Sequence, residues 1–256
     1  MTDQLYKYPR TPHLQGSSKQ QGDEDLDFIP LKVLEKQELI ISEKIDGANV
    51  GISFNNQGKI LLQSRGHYLI GGYRERQFNL LKQWANSNAL AFWKVLGNCY
   101  LLYGEWLYAK HTIFYNNLPH YFLAFDIFDK EKQVFLDTER QHNLLKNLPI
   151  IYVPILYRGK IKSQKHLLSF ITQSHFIREG HLEQLQKIAR EKNLNAEQIL
   201  QQTDISILRE GLYIKIEENG IVKERYKYVR ASFSNTILQS ESHWLNRPII
   251  PNLLAD

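Results

Sequence analysis

Two apolar runs, "LIISEKI" at residues 39–45 and "NVGISF" at 49–54, are separated by Asp46 and Gly47. Both are rich in β-branched and aromatic residues and predict strands. "KILLQS" (59–64) predicts a third, reached through "NNQG" (55–58), which reads as a hairpin loop. The period then lengthens. In "RERQFNLLKQWA", Phe78, Leu81, Trp84 and Ala85 recur at helical spacing. Strand patterning returns in "CYLLYGEWLY" and "YFLAFDIFD". "LLSFITQ" and "HLEQLQKIAREKNL" predict helices, the second with Leu182, Leu185, Ile188 and Ala189 on one face. "GLYIKIE" and "VKERYKYVR" flank Glu218-Asn219-Gly220, and Asn-Gly is a strong type I′ hairpin signal.

This succession predicts an α+β domain, antiparallel sheets with helices packed outside them. A dinucleotide-binding sheet is excluded, because G-x-G-x-x-G is absent and strands do not alternate regularly with helices. Residues 1–28 are polar and turn-rich and read as an N-terminal arm draped over the surface. Arg10 and His13 are its candidates for reaching a phosphate-binding cleft. Residues 29–240 read as the main domain, with a helical insert at about 163–203, and 241–256 as a tail.

Composition changes this picture little. The chain has 256 residues, 43% hydrophobic and 23% charged, which suits one soluble globular domain. Its net charge of +5 is compatible with a polyanionic partner. The single cysteine, Cys99, excludes an intrachain disulfide and a cysteine-rich zinc knuckle. No apolar run approaches the roughly 20 residues of a membrane span, and "MTDQLYKYPR" lacks a signal-peptide core. The expected setting is the cytoplasm, with no membrane partner.

The candidate chemistry lies in charges that interrupt strands. Charged residues seldom occupy buried strands unless paired or working. Lys44 precedes Asp46-Gly47, Glu105 lies in "LLYGEWLY", and Asp126 follows an aromatic run. Glu210 opens a strand that also carries Lys215, and Lys227 and Arg230 lie in "RYKYVR". Together they predict a polar cleft lined by strands. Its cations (Lys44, Arg65, Lys215, Lys227) and carboxylates (Glu105, Glu210) suit a nucleoside triphosphate with its divalent metal. His67, His111 and His120 show no metal-ligand spacing and read as solvated or core residues. Lys110 is a candidate phosphate contact.

These residues carry a resemblance. "EKIDG" resembles motif I of the covalent nucleotidyltransferases, the superfamily of ATP-dependent DNA and RNA ligases and mRNA capping enzymes. "SRG" (64–66) resembles motif Ia, "YGEW" motif III, "FLAFDIF" motif IIIa, "EGLYIK" motif IV and "KYVR" motif V, all in the family's order. Asn49, two residues after the motif I glycine, and "FSN" after motif V resemble the RNA ligase branch that seals nicks in duplex RNA. The whole chain is similar to a bacterial group of stand-alone RNA ligase proteins with "YPRTPHL" near the start and "RPIIPN" near the end.

The resemblance implies a nucleotidyltransferase (ATP-grasp-like) domain, ATP and Mg²⁺ or Mn²⁺ as cofactors, and RNA ends, nicked or duplex, as substrate. It implies three steps: lysyl–AMP formation, transfer of AMP to an RNA 5′-phosphate, and attack by a 3′-hydroxyl. Lys44 would be the nucleophile, its proton affinity lowered by Lys215, Lys227 and the metal. Glu43 and Ile45 would border the adenine and Phe125 would stack on it. Asn49 and Arg65 would contact phosphate or ribose, and Glu105 the ribose hydroxyls. Glu210 would position metal, and Lys215 and Lys227 would hold phosphate. Asp46 would serve its turn, and Asp126 would accept backbone hydrogen bonds. An end-healing kinase or phosphatase is the partner implied.

Two features depart from the family. The second motif V lysine is replaced by Val229, with Arg230 next to it. Little chain follows motif V, so a full C-terminal OB domain is not expected, and the 163–203 insert is expected to take over RNA binding. A ligase of DNA or RNA–DNA hybrids, and an inactive nucleic-acid-binding relative, are the open alternatives.

Overall fold

A computed structural model describes residues 4–19, 23, 25–239 and 247–255, so parts of the expected arm and tail lie outside it. The chain forms twelve strands among the described residues. These are β1 (His13–Leu14), β2 (Phe28–Ile29), β3 (Leu39–Lys44), β4 (Ala48–Phe54), β5 (Ile60–Ser64), β6 (Tyr100–Trp106), β7 (Phe122–Asp129), β8 (Val134–Phe135), β9 (Ile151–Tyr152), β10 (Ile155–Gly159), β11 (Gly211–Glu218) and β12 (Ile221–Val229). They make two six-stranded sheets. One has the order β10-β3-β11-β12-β1-β2; the other runs β5-β4-β6-β7-β8, with β9 also paired to β7. Pairing is antiparallel except where β1 meets β12 and β2, and where β9 meets β7. The architecture is α+β, as the alternation of strand and helix periods implies.

Each sheet buries its outer face under other elements. Leu39 and Ile41 of β3, with Leu212 and Ile214 of β11, pack on Leu14, Leu34 and Leu167. On the second sheet, Val50, Ile52, Phe54, Leu102 and Trp106 pack under α1 (Asn79–Ser87) and α2 (Ala89–Leu96), which contribute Leu81, Ala85, Phe92 and Leu96. Side chains alternate across a strand, so the residues between these point inward, toward the other sheet. Those inward positions are the polar ones that interrupt the strands.

The predicted helix at 74–85 begins as a 3-10 turn, Tyr73–Phe78, and becomes α-helical only at Asn79. "LLSFITQ" is a correction: α4 spans Gln164–Leu168, and Gln173 is extended, bridging to Leu208. Its polar Thr172 and Gln173 serve backbone pairing instead of a helix face. α5 (His181–Glu191) forms as its apolar stripe predicts. The hairpin at 219–220 has positive φ at both residues, 55° at Asn219 and 85° at Gly220, as a type I′ turn requires.

The 163–203 segment is part of the core. Phe176 and Ile177 join the cluster around Leu107 and Val229. Leu185 and Ala189 of α5 and Ile199 of α6 (Ala196–Gln201) pack on Phe114 and Ile250. α3 (Thr138–Leu145) and α7 (Ala231–Gln239) complete the helices. The arm does not drape. Tyr8, Thr11, His13 and Ser17 are all buried, and β1 adds a strand beside β12.

Candidate active site

The inner faces of the two sheets enclose a cleft of about 1570 Å³. From the first sheet, β3 brings Lys44, and β11 follows directly on Glu210. In register, Lys44 lies opposite Gly211, and Gly211 opposite Val229. A Cβ at Gly211 would sit 1.9 Å from the Tyr228 carbonyl oxygen, so only glycine allows this pairing. Gly47 has the same reason on the other side: a Cβ there would meet Trp106 O at 2.8 Å and Glu105 Cγ at 2.9 Å. The glycines of "KIDG" and "EG" thus bring backbones together so that Lys44, Glu105 and Glu210 converge.

Lys44 Nζ donates to both oxygens of Glu210, at 2.7 Å to Oε1 and 2.8 Å to Oε2. Burial would lower the lysine's proton affinity, but Glu210 and then Glu105 outweigh it and raise it. Lys44 is therefore an ammonium in this unliganded form. The expected net lowering is corrected: Lys215 is neutralised by Asp126, and the repulsion from Lys227 does not offset Glu210 and Glu105.

Glu105 stands across the cleft on β6, opposite Asn49 of β4. Burial, opposed by Lys44 and reinforced by Glu210 and Asp46, pushes its carboxyl up to about 8. Asn49 Oδ1 is buried without a hydrogen-bond partner among the described residues. Such an acceptor is costly unless something occupies the space in front of it. Arg65, exposed just beyond β5, lies at the rim.

Phe125 reaches the cleft through a β-bulge. Tyr103 and Gly104 are adjacent on β6, yet they pair with Asp126 and Ala124, leaving Phe125 as the extra residue. Simple alternation would put Phe125 and Asp126 on opposite faces; the bulge turns both inward.

Lys215 is placed differently from expectation, and Glu43 and Ile45 border the cleft with their side chains anchored elsewhere. Lys215 does not line the cleft: its Nζ is held by Asp126 Oδ1 at 2.6 Å and Phe125 O at 2.8 Å, and the side chain is 7% exposed. It shares the inner face with Lys44 but sits deeper along β11, behind Phe125. Glu43 points the other way from Lys44, onto Ser174 and His175. Ile45 is buried in an apolar cluster with Leu107, Ile113 and Phe233. Both are nevertheless among the residues that line the cleft.

Lys227 does line the cleft, paired with Asp23 of the arm. Burial and the nearby Lys44 lower its proton affinity. Asp23 also accepts from His13 Nε2 at 3.1 Å and from Arg10 at 3.3 Å. The arm therefore reaches the cleft through Asp23, with Arg10 and His13 as its supports. Arg230 lies apart, paired with Asp204 and donating to Arg209 O at 2.8 Å. The inward cation nearest in sequence to Lys227 is Arg225, two residues before it, stacked 3.8 Å over the Phe135 ring.

Among the described residues Asp126 accepts from side chains and not from the backbone: Tyr8, Lys215 and Gln141 donate to it. Asp46 accepts from the amides of Thr112 and Ile113, at 2.7 and 2.8 Å, and so fixes the loop after β6. Lys110 is buried, donates to the carbonyls of His111 and Gln202, and is pushed down to about 7 by burial. It is not a surface contact for RNA. Histidines 67, 111 and 120 join no metal-ligating cluster among the described residues.

The RNA ligase family profile matches residues 37–229, well over half the chain. The chain belongs to the RNA ligase family. Its fold matches an archaeal ATP-dependent RNA ligase at 15% identity and TM-score 0.51, covering 90% of this chain and 49% of that one. It also matches a Naegleria gruberi RNA ligase mutant solved with AMP and Mn at 17% identity and TM-score 0.52, covering 91% and 64%. A ligand-free mutant of the Naegleria enzyme matches at 16% and TM-score 0.52, covering 94% and 62%. The chain thus spans less than two thirds of the length of each. Comparison with curated protein sequences gave no match. No helix among the described residues is long and apolar enough to cross a membrane.

Sequence reasoning missed Tyr8 and Asp23 of the cleft lining, and Arg225 packed behind it on Phe135. The signal for Arg225 was available, since residues 225 and 227 share one face of a strand. Tyr8 and Asp23 come from irregular backbone, where no periodicity points to a partner.

Proposed function

We propose that this RNA ligase family chain is an ATP-dependent RNA ligase that works through adenylylated Lys44. The observation that carries the reading is the convergence of Lys44, Glu210, Glu105 and Asn49 in one cleft, with an orphaned acceptor facing it. Lys44 Nζ attacks the α-phosphate of ATP; the N–P bond forms as the bond to pyrophosphate breaks, and the amine loses its proton. The adenylate then passes to an RNA 5′-phosphate, regenerating Lys44. Attack of a 3′-hydroxyl on that activated phosphate closes the phosphodiester and releases AMP.

The residues fit a divalent cation. Glu210, Glu105 and Asp46 all act on the Lys44 ammonium, Glu210 in direct contact with it. Glu210 would hold the ion, and one or two carboxylates plus substrate oxygens is a usual magnesium arrangement. When bound, it would neutralise phosphate charge and weaken the hold of Glu210 on the Lys44 proton. The Naegleria structure with AMP and Mn supports this reading.

Phe125 offers a ring face to the adenine. Glu105 accepts from ribose hydroxyls and Asn49 turns to ribose or phosphate. Lys227 and Arg65 offer positive charge to the phosphates. The test is joining of a nicked RNA duplex with a labelled 5′-phosphate. The unmodified protein is expected to seal it with ATP and magnesium or manganese, and Lys44→Ala to leave it open. A DNA nick sealed in preference to the RNA one, or no sealing of either, contradicts the reading.

A further inference from the structure

The residues next to the Lys44–Glu210 pair are tied to one short segment of the insert. Lys44 and Glu210 point into the cleft, and their neighbours Glu43 and Arg209 point out. Glu43, 2% exposed, is met by three donors: Ser174 Oγ at 2.5 Å, His175 Nδ1 at 2.7 Å and the His175 amide at 3.2 Å. Arg209 donates through Nη2 to Gln173 O at 2.7 Å and Thr172 Oγ1 at 3.1 Å. The backbone completes the tie: Arg209 N donates to Thr172 O, and Ser174 N to Ile207 O.

We propose that the segment from Thr172 to His175 is a positioning clamp for the adenylylation step, with Ser174 and His175 setting the place of Lys44 through Glu43. This rests on the reading of Lys44 as the nucleophile. β3 ends at Lys44, and the chain turns away at Asp46-Gly47. The last strand residue is thus where the backbone is least constrained by its ladder. A buried carboxylate held by three donors has one position. Fixing Glu43 fixes the adjoining Cα of Lys44, and Arg209 does the same for Glu210, just ahead of β11. Attack on phosphorus depends on such placement, where an error of about 1 Å costs on the order of a hundredfold in rate.

Ser174 and His175 do not themselves line the cleft; they reach it only through Glu43, which borders it. Their loss is therefore expected to act on the rate of the chemical step and to spare ATP binding. His175 is half-exposed and its removal opens no cavity in the apolar core.

The test is the single-turnover rate of label transfer from α-labelled ATP to protein, as a function of ATP concentration. It is run with unmodified protein, Ser174→Ala/His175→Ala and His175→Asn. Asparagine places a donor near the position of Nδ1. The double variant is expected to lose at least tenfold in the maximal rate, with the half-saturating ATP concentration changed less than twofold. His175→Asn is expected to recover most of the rate. A double variant as fast as unmodified protein overturns the proposal. So does a loss that tracks a lowered melting temperature and is not recovered by asparagine, which indicates a purely structural role. Unmodified protein that takes no label overturns the underlying reading along with the clamp, whereas labelled unmodified protein with an unaffected double variant overturns the clamp alone.

Discussion

Lys44 Nζ sits astride the carboxylate of Glu210, 2.7 Å from one oxygen and 2.8 Å from the other. The nucleophile of the proposed reaction is thus stored in its protonated form, and the same carboxylate that holds the proton is the best-placed metal ligand. Glu210→Ala is expected to slow adenylate formation by about a hundredfold or more. Lys44 is 21% exposed and can be hydrated once its partner is gone, so the stability cost is expected to stay near 1–2 kcal/mol. Labelling kinetics and a thermal melt check both halves, and labelling at the unmodified rate contradicts the role given to Glu210.

Glu105 makes stability depend on pH with a definite sign. Its carboxyl keeps its proton up to about 8 in the folded chain, while the unfolded chain loses it in the ordinary carboxylate range. Across that window the folded state binds more protons, so its stability falls as pH rises. Glu105→Gln removes the dependence. Urea melts at pH 5 and pH 8 are expected to show the variant gaining on the unmodified protein by on the order of 2 kcal/mol. A constant difference between the two pH values refutes the buried-carboxyl account.

Phe125 is turned into the cleft by a bulge, and its ring is the proposed adenine platform. Stacking on an aromatic ring contributes about 1–3 kcal/mol, so Phe125→Ala is expected to weaken ATP binding roughly tenfold. The maximal adenylylation rate is expected to hold within a factor of three. Unchanged ATP dependence rules out the platform.

Lys215 and Asp126 form a buried pair with Tyr8 and Gln141 around it. Asp126→Ala strands a lysine that is 7% exposed, and is expected to cost about 3–5 kcal/mol. Lys215→Met leaves Asp126 with two neutral donors and is expected to cost less. Calorimetry of the two variants decides: the reverse order contradicts the assignment of Lys215 as a structural cation.

The 163–203 segment cannot be excised to test RNA binding, because its apolar residues belong to the core. Charge reversal of the exposed Lys187 and Arg190 on α5 leaves that core intact. If this face holds RNA, nick sealing is expected to fall about tenfold or more while Lys44 labelling is unchanged. Sealing that survives the reversal moves the RNA surface elsewhere.

The sequence made the cleft legible where local rules suffice. Lys44, Glu105 and Glu210 interrupt strands, and an interrupted strand of known period points its charge to a known face. Period fixes the face but not the depth, which is why Lys215, inward as expected, lies behind Phe125. The bulge at Phe125 was invisible because it depends on how β6 and β7 register, a long-range fact. The arm escaped for the same reason: its two-residue strands are too short to show a period, and Asp23 has meaning only beside Lys227. Helix α2 went unread because "ALAFWKVL" is apolar on most sides and carries little amphipathic contrast.

The central claim is that one amine takes the adenylate. The most direct measurement is peptide mass mapping of protein incubated with ATP and magnesium, then digested without exposure to acid. The account requires AMP on the peptide that contains Lys44 and on no other, and its disappearance in Lys44→Ala. Adenylate on a different lysine, or an unmodified Lys44 peptide under conditions that seal RNA, contradicts it.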